Sequence, residues 1–164
     1  MSDQSRIAEI IDAAAACGRR VTGIEAAFGV GTGLVTDPYT GQPVPASVSN
    51  ALDIGPGVVE VRWPTAWSIK WLSATVCEWS WSVPVDVSLL GPDLPTLLSR
   101  GVPLMTSFVE MFARYGQLCD PSGAPRCNSA LITGGLPRLD PPRLEMTLTV
   151  TERLNFDLAP GGTL

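Results

Sequence analysis

The chain has 164 residues, of which 45% are hydrophobic and 16% are charged, and its 11 Lys and Arg against 16 Asp and Glu leave a net charge of −5. This length suits one domain that buries roughly 70% of its unfolded surface, so folding requires neither a disulfide nor a metal. The composition excludes a disordered or solvating segment, and no apolar run approaches the ~18 residues of a membrane helix.

The absence of histidine narrows the possible chemistry. Histidine is the commonest general base and metal ligand, so Ser-His-Asp, Cys-His and zinc-histidine sites are excluded. Cations must cluster to hold a nucleic-acid backbone, and here they are scattered apart from the pair Arg19 and Arg20. We therefore expect a protein that is not an enzyme, holds no metal or cofactor, and does not bind nucleic acid specifically.

The four cysteines, Cys17, Cys77, Cys119 and Cys127, include no C-x-x-C pair. Structural zinc sites usually contain such close pairs, so a zinc site built from all four is disfavoured. The N-terminus lacks the apolar core of a signal peptide, so we expect reduced thiols in a protein made in a cytoplasm. Cys17 and Cys77 suit core positions, while a bridge between Cys119 and Cys127 stays open.

The first third of the chain predicts one helix followed by a long loop. Residues 3–17 carry an apolar stripe at helical spacing, and Gly18 ends it; the stripe consists of Ile7, Ile10, Ile11 and Ala14. Because it contains only Ile and Ala, we expect this helix to lie on the surface of the domain. Residues 21–28 are a weak strand candidate, and residues 29–57 predict a Gly/Pro-rich loop or arm with a turn at 37–41.

Strands follow, and the clearest one has a strict alternation of apolar and polar residues. Residues 58–63 predict a short strand stopped at Pro64, and residues 66–76 form a second apolar stretch. Residues 78–89 alternate over their whole length, which predicts a strand with one buried face. Pro84 cannot donate a ladder hydrogen bond, so it predicts an edge strand or a bulge.

A helical stretch separates this strand from the last two. Asp93 is a good N-cap for residues 93–118, and Gly101 with Pro103 predicts a break or a kink. Residues 128–133 then predict a short strand, and residues 134–142 predict a turn-rich link.

Residues 144–158 predict a final strand that is long against the usual five or six residues. Its apolar face is broken only by Glu152. We expect half of this strand to extend beyond its own sheet, so that Leu154, Phe156 and Leu158 bury against a neighbour. The whole pattern predicts a single α+β domain over residues 1–164, with a mainly antiparallel sheet and helices packed on one face.

Three groups of residues resemble functional sites. The glycines of residues 29–33 resemble a phosphate loop, but their spacing favours a flexible turn. Glu60, Glu78 and Asp86 suit a solvated strand face better than acid–base catalysis. The tryptophans invite a stacking role, and core packing explains Trp79 and Trp81 better. By contrast, Trp67 and Trp71 are candidates for a subunit interface, where tryptophan is enriched.

The arrangement as a whole resembles the tail terminator family of long-tailed bacteriophages, which includes related neck and tail-completion proteins. The resemblance rests on the following features: the early helix and Pro/Gly-rich loop, the alternating strand 79–89 ending in Leu90-Gly91-Pro92-Asp93, the helix 104–115, the strand 129–133 and the closing strand 144–152. The loop of residues 29–57 and the pair Gly101 and Pro103 depart from the family pattern.

The resemblance implies a homo-oligomeric ring, typically a hexamer, that caps the tail tube and joins it to the head-side neck. The implied partners are the tail tube protein and a neck or head-completion protein, with DNA passing unbound through the lumen and no membrane. The protein would be made in the bacterial host cytoplasm and built into the virion. The alternatives are another phage structural protein, such as a head–tail adaptor or a tube subunit, and a small-ligand-binding domain that uses the tryptophans.

Overall fold

The computed structural model describes residues 3–20, 34–37, 40–45, 48–50, 59–88, 93–139 and 142–156. These residues form two helices and eight strands. In chain order the elements are α1 (Asp3–Arg19), β1 (Leu34–Thr36), β2 (Pro43–Pro45), β3 (Val48–Asn50), β4 (Val59–Val61), β5 (Ala66–Trp71), β6 (Val76–Ser88), α2 (Leu94–Arg114), β7 (Ser129–Leu139) and β8 (Pro142–Asn155). Neither of the two helices is long and apolar enough to cross a membrane.

Six of these strands form one sheet whose centre is the antiparallel pair β6 and β8. The order is β3-β4-β6-β8-β7, with β5 also paired to β6, while β1 and β2 form a separate antiparallel hairpin. Every pairing in the larger sheet is antiparallel except that of β3 with β4. The predicted α+β fold with a mainly antiparallel sheet is therefore confirmed.

β6 is an internal strand with no register shift at Pro84, so neither the edge position nor the bulge that Pro84 predicted is found. One side of β6 pairs with β8 along its full length, and the other side is shared by β4 and β5. Along β6, residues 77–82 pair with β5 and residues 85–87 pair with β4, and Pro84 lies in the gap between these two segments. Its carbonyl accepts a hydrogen bond from Arg62 N at 3.0 Å. Since the N and O of one residue point to the same side of a strand, the missing N–H of Pro84 falls in this gap.

β8 also stays inside its own sheet, contrary to the expectation that half of it extends beyond. β6 matches it in length, and the two pair from Val76 opposite Asn155 to Ser88 opposite Arg143. Even after β8 ends, Phe156 N donates to Thr75 O at 2.7 Å. On its β6 side, β8 is thus paired to its end, whereas its pairing with β7 stops at Thr151 opposite Ser129.

The core lies between one face of the sheet and the two helices. It includes the predicted apolar face of β6 and β8, namely Trp81, Val83, Val85, Val87, Leu144, Met146, Leu148 and Val150. The prediction that α1 lies on the surface was wrong, because residues 13–17 are at most 2% exposed. Small alanine side chains let α1 pack closely against β3, β4 and α2.

α2 runs uninterrupted from Leu94 to Arg114, so of the break or kink predicted at Gly101 and Pro103, the break does not occur. The predicted N-cap is confirmed, since Asp93 Oδ1 accepts from Thr96 N at 2.8 Å. Pro103 is exposed, so the carbonyl that loses its helical hydrogen bond lies on the water side of the helix.

Two predicted irregular regions contain strands. Residues 134–139, which the sequence predicted to be a turn-rich link, continue β7. A bulge lies between Ile132 and Gly134. A Cβ at Gly135 would lie only 3.1 Å from Glu145 O, so this glycine permits close strand approach.

The predicted loop of residues 29–57 includes β1, β2 and β3, and Gly41 N donates to Asp37 O at the predicted turn. Residues 21–28 lie outside the described residues.

Candidate interaction surface

Large apolar side chains gather where β5, β6 and β8 lie side by side. Register places Trp67 opposite Trp81, Ile69 opposite Trp79, and Trp71 opposite Cys77. Cys77 is in turn opposite Leu154. Alternation therefore puts these side chains on the same face of the sheet as the core. We call the following six residues the aromatic surface: Trp67, Ile69, Trp71, Trp79, Leu154 and Phe156.

The aromatic surface is internally packed but open to solvent. Trp67 stacks on Trp79 with ring centroids 5.9 Å apart and planes 20° apart, and Trp71 meets Phe156 at 5.8 Å. Yet Trp67 is 66% exposed and Trp71 is 59% exposed. Tryptophan side chains on the core-facing side of a sheet are normally buried by other parts of the protein, so this exposure is unusual for a monomer.

The positions of the helices explain the exposure. α1 packs on β3 and β4, whereas α2 packs on β7 and β8. The N-terminal part of α1 reaches β8 through Arg6, whose Nε donates a hydrogen bond to Glu152 Oε1 at 2.6 Å. β5 lies at the sheet edge away from α2, and neither helix has a comparable set of contacts with it. The helix layer, as described, thus leaves β5 without a cover.

Four of the five residues that the sequence singled out are brought together here. Trp67, Trp71 and Phe156 are exposed and Leu154 is half-buried, while Leu158 lies outside the described residues. Ile69 and Trp79 complete the surface and were not predicted to belong to it. The alternation of residues 67–71 was the missed signal, because it already places Ile69 beside the two tryptophans on one strand face.

No model of a protein family matches this chain, and no curated protein or solved structure matches it significantly.

The opposite face of the sheet carries a row of carboxylates. Glu60, Asp86 and Glu145 lie opposite one another on β4, β6 and β8. Arg62 bridges the first two, with Nη2 2.8 Å from Asp86 Oδ2 and 3.4 Å from Glu60 Oε2. Asp86 is only 5% exposed, so the prediction that it is solvated was wrong. Burial raises the pKa of Asp86, and Arg62 partly opposes this shift.

Glu78, the other candidate carboxylate on this face, lies on β6 between Lys70 on β5 and Arg153 on β8 in the strand register. Oppositely charged side chains on neighbouring strands stabilise a sheet modestly. Glu60 and Glu78 are half-buried, and their cationic neighbours give them a structural explanation.

Two cavities border the loop that follows α2, and no tryptophan lines either of them. One of about 430 Å³ is bordered by residues 113–120, and the other, of about 410 Å³, by Arg6, Glu9 and residues 124–126. Asp120 borders both, but its Oδ1 accepts hydrogen bonds from Ser122 N, Ser122 Oγ and Ala124 N. This carboxylate therefore holds its own loop.

The thiols and carboxylates of the described residues show no metal-binding arrangement. No group of three or more Cys, Asp and Glu side chains is close enough there to hold a metal ion. All four cysteines are free thiols, and Cys17, Cys77 and Cys127 are buried. Burial raises the pKa of both Cys17 and Cys127 to about 12, so neither is an activated nucleophile. The glycines at 29–33 lie outside the described residues.

Proposed function

We propose that this chain is a virion structural protein that assembles into a closed ring at the end of a bacteriophage tail tube. In this role it stops tube growth and joins the tube to the head-side neck, as the resemblance to tail terminators implies. The observation that carries the assembly part of the proposal is the aromatic surface, which places exposed Trp67 and Trp71 at one edge of the sheet.

The free energy of burying apolar side chains favours a protein partner for this surface. Full burial of a large apolar side chain stabilises a protein by roughly 1.5–3 kcal/mol. Because Trp67 and Trp71 are mostly exposed in the single subunit, most of this stabilisation is absent there. Tryptophan is also among the residue types enriched in the side chains that dominate interface energies. A surface of this kind is typical of a subunit whose native state is an assembly.

Charge supports the second part of the proposal. A net charge of −5 and the absence of a clustered cationic patch in the sequence suit a ring through which DNA passes without adhering. The element order of a first helix, a long central strand, a second helix and a closing antiparallel pair also agrees with the features on which the resemblance rests.

The alternatives differ from this proposal in ways that can be measured. A tube subunit would stack into open filaments, and a head–tail adaptor would form rings that do not control tail length. A small-ligand-binding domain would place tryptophans around a cavity, but neither cavity described above is bordered by one. This observation favours an interface over a ligand site.

Electron microscopy and native mass spectrometry of the purified chain test the assembly. We expect closed rings with a central hole and a single subunit number. A protein that stays monomeric up to high concentration, or that forms open filaments, would overturn the closed ring.

A null mutation in the encoding phage tests the role. We expect tails of uncontrolled length that do not attach to heads. Normal head-attached tails in the null mutant would refute the terminator function even if the purified chain forms rings.

A further inference from the structure

We infer that the aromatic surface of one subunit packs against the outer flank of α2 in the next copy of the chain. This inference rests on the proposed ring and specifies its subunit contact. We define the α2 flank as Leu98, Val102 and Val109, which are 40%, 47% and 42% exposed.

The α2 flank lies at the outer side of the helix, away from its contacts with β7 and α1. At 100° per residue its three side chains lie within roughly 40° of one another, beside the buried face that contains Phe108. On this side of the helix Met105 reaches β7, since its Sδ lies 3.6 Å from the Cβ position of Gly135. On the other side the backbone carbonyl of Met111 accepts from Cys17 Sγ at 3.8 Å, which places α1 on that side of the helix. The flank therefore faces outward past β7.

The two surfaces lie at opposite edges of the sheet and on the same side of it. β5 and β7 are separated by β6 and β8. The aromatic surface lies on the same face of the sheet as the two helices. At the β5 edge this face has no helix over it, whereas α2 covers it at the β7 edge. When copies stand side by side, α2 of one copy therefore meets the uncovered tryptophans of the next. A contact between two different surfaces is heterologous, and it closes into a ring when the rotation between copies divides a full turn without translation; otherwise it builds an open filament.

Size and charge also suit a second copy. The exposed part of the aromatic surface is on the order of 500 Å², given ~150–250 Å² for each fully buried aromatic side chain. A standard interface buries about 800 Å² per partner, so these residues would form most of one side. Neither surface includes a charged residue, so association desolvates no charge within them.

Two single substitutions test the contact. Trp67→Glu places a charge on the aromatic surface, and Val102→Glu places one on the α2 flank. Leu136→Glu is the control, because Leu136 is 43% exposed, close to the 47% of Val102, but lies opposite Glu145 on the face of the sheet that carries the carboxylates. Native mass spectrometry and sedimentation velocity then compare each variant with the wild type. Circular dichroism and thermal melting verify that each variant is folded. Trp71→Glu on the aromatic surface and Val109→Glu on the α2 flank form a second pair of variants for the same test.

A heterologous contact makes a specific mixing prediction. Each variant alone should be monomeric at concentrations where the wild type and Leu136→Glu assemble. An equal mixture of Trp67→Glu and Val102→Glu should form one-to-one heterodimers and nothing larger, because one intact pair of surfaces remains.

The outcomes separate this inference from the proposed function. Wild-type rings that persist in Val102→Glu, or a mixture that forms no heterodimer, would overturn the inference and leave the ring intact. Open wild-type filaments that both substitutions abolish would support the inference and overturn the closed ring. If only Trp67→Glu prevents assembly, the aromatic surface has a partner other than the α2 flank, and the inference fails.

Discussion

Arg6 in α1 donates from Nε to Oε1 of Glu152 in β8, 2.6 Å away, and so neutralises the charge that interrupts the apolar face of the last strand. Glu152 is 4% exposed, whereas the Arg6 side chain keeps about half of its surface in water. The pair joins the first helix to the last strand across 146 positions of the chain.

The first prediction is that Arg6→Ala lowers the free energy of unfolding by about 1–3 kcal/mol, because it leaves a buried carboxylate without its hydrogen-bonded cation. Adding Glu152→Met should restore most of the loss, since the second substitution removes the buried charge. Urea denaturation measures both. The control is Arg138→Ala, whose exposed ion pair with Glu145 spans 3.4 Å and should matter by less than about 1 kcal/mol. Equal losses at Arg6 and Arg138 would contradict this account.

Glu152 illustrates what the sequence could and could not predict. Alternation identified it as the polar member of an apolar face, because that pattern depends only on local strand geometry. Its partner Arg6 lies far away in the chain, and no local pattern connects the two. The same distinction explains the errors about Pro84 and about the extent of β8, since both depend on which strands lie alongside β6.

The second prediction separates the tryptophan of the core from that of the surface. Trp81 is 7% exposed, so Trp81→Ala should cost about 3–5 kcal/mol of unfolding free energy. Trp67→Ala loses chiefly its stacking on Trp79 and should cost less than about 1.5 kcal/mol in the monomer. Chemical denaturation at low protein concentration measures this difference. A cost at Trp67 as large as that at Trp81 would mean that Trp67 is part of the core.

The candidate site was partly predictable for a related reason. Trp67 and Trp71 could be recognised as interface candidates because their residue type and uncertain burial were visible in the sequence. Their exposure arises from the placement of α1 over β4 and of α2 over β7, which only the tertiary structure fixes. α1 was predicted to be superficial because its alanines indicate little about burial, whereas small side chains also suit the tightest packing.

The third prediction concerns the thiols. Cys119 is half-buried, while the other three cysteines are buried. We expect one fast-reacting thiol out of four when the native protein meets a thiol reagent at pH 8, and all four to react in denaturant. Cys119→Ser should remove the fast phase. If no thiol reacts until reductant is added, Cys119 is in a disulfide and the free-thiol state is wrong.

The last prediction is that two aspartates respond oppositely to acid. Burial raises the pKa of Asp86, and its Oδ1 has no hydrogen-bond partner among the described residues. Ionised Asp86 therefore costs stability at neutral pH; this cost starts to fall as pH drops through its raised pKa and is gone below the usual pKa near 4. Asp120 differs, because hydrogen bonds from Ser122 hold the pKa of its carboxyl below the usual range. Its stabilising effect is complete above the usual pKa near 4 and is lost as pH falls through the lowered value.

Asp86→Asn should thus raise the melting temperature at pH 7, and its advantage should vanish below about pH 4, where the unfolded carboxyl is protonated as well. Asp120→Asn should lower the melting temperature at pH 7, with a deficit that shrinks as the buffer is acidified. Thermal melting of both variants from pH 3 to pH 7 measures the two trends beside the wild type. If Asp86→Asn instead lowers the melting temperature at pH 7, the ion pair with Arg62 outweighs the burial of the carboxylate, and the direction of its pKa shift is reversed.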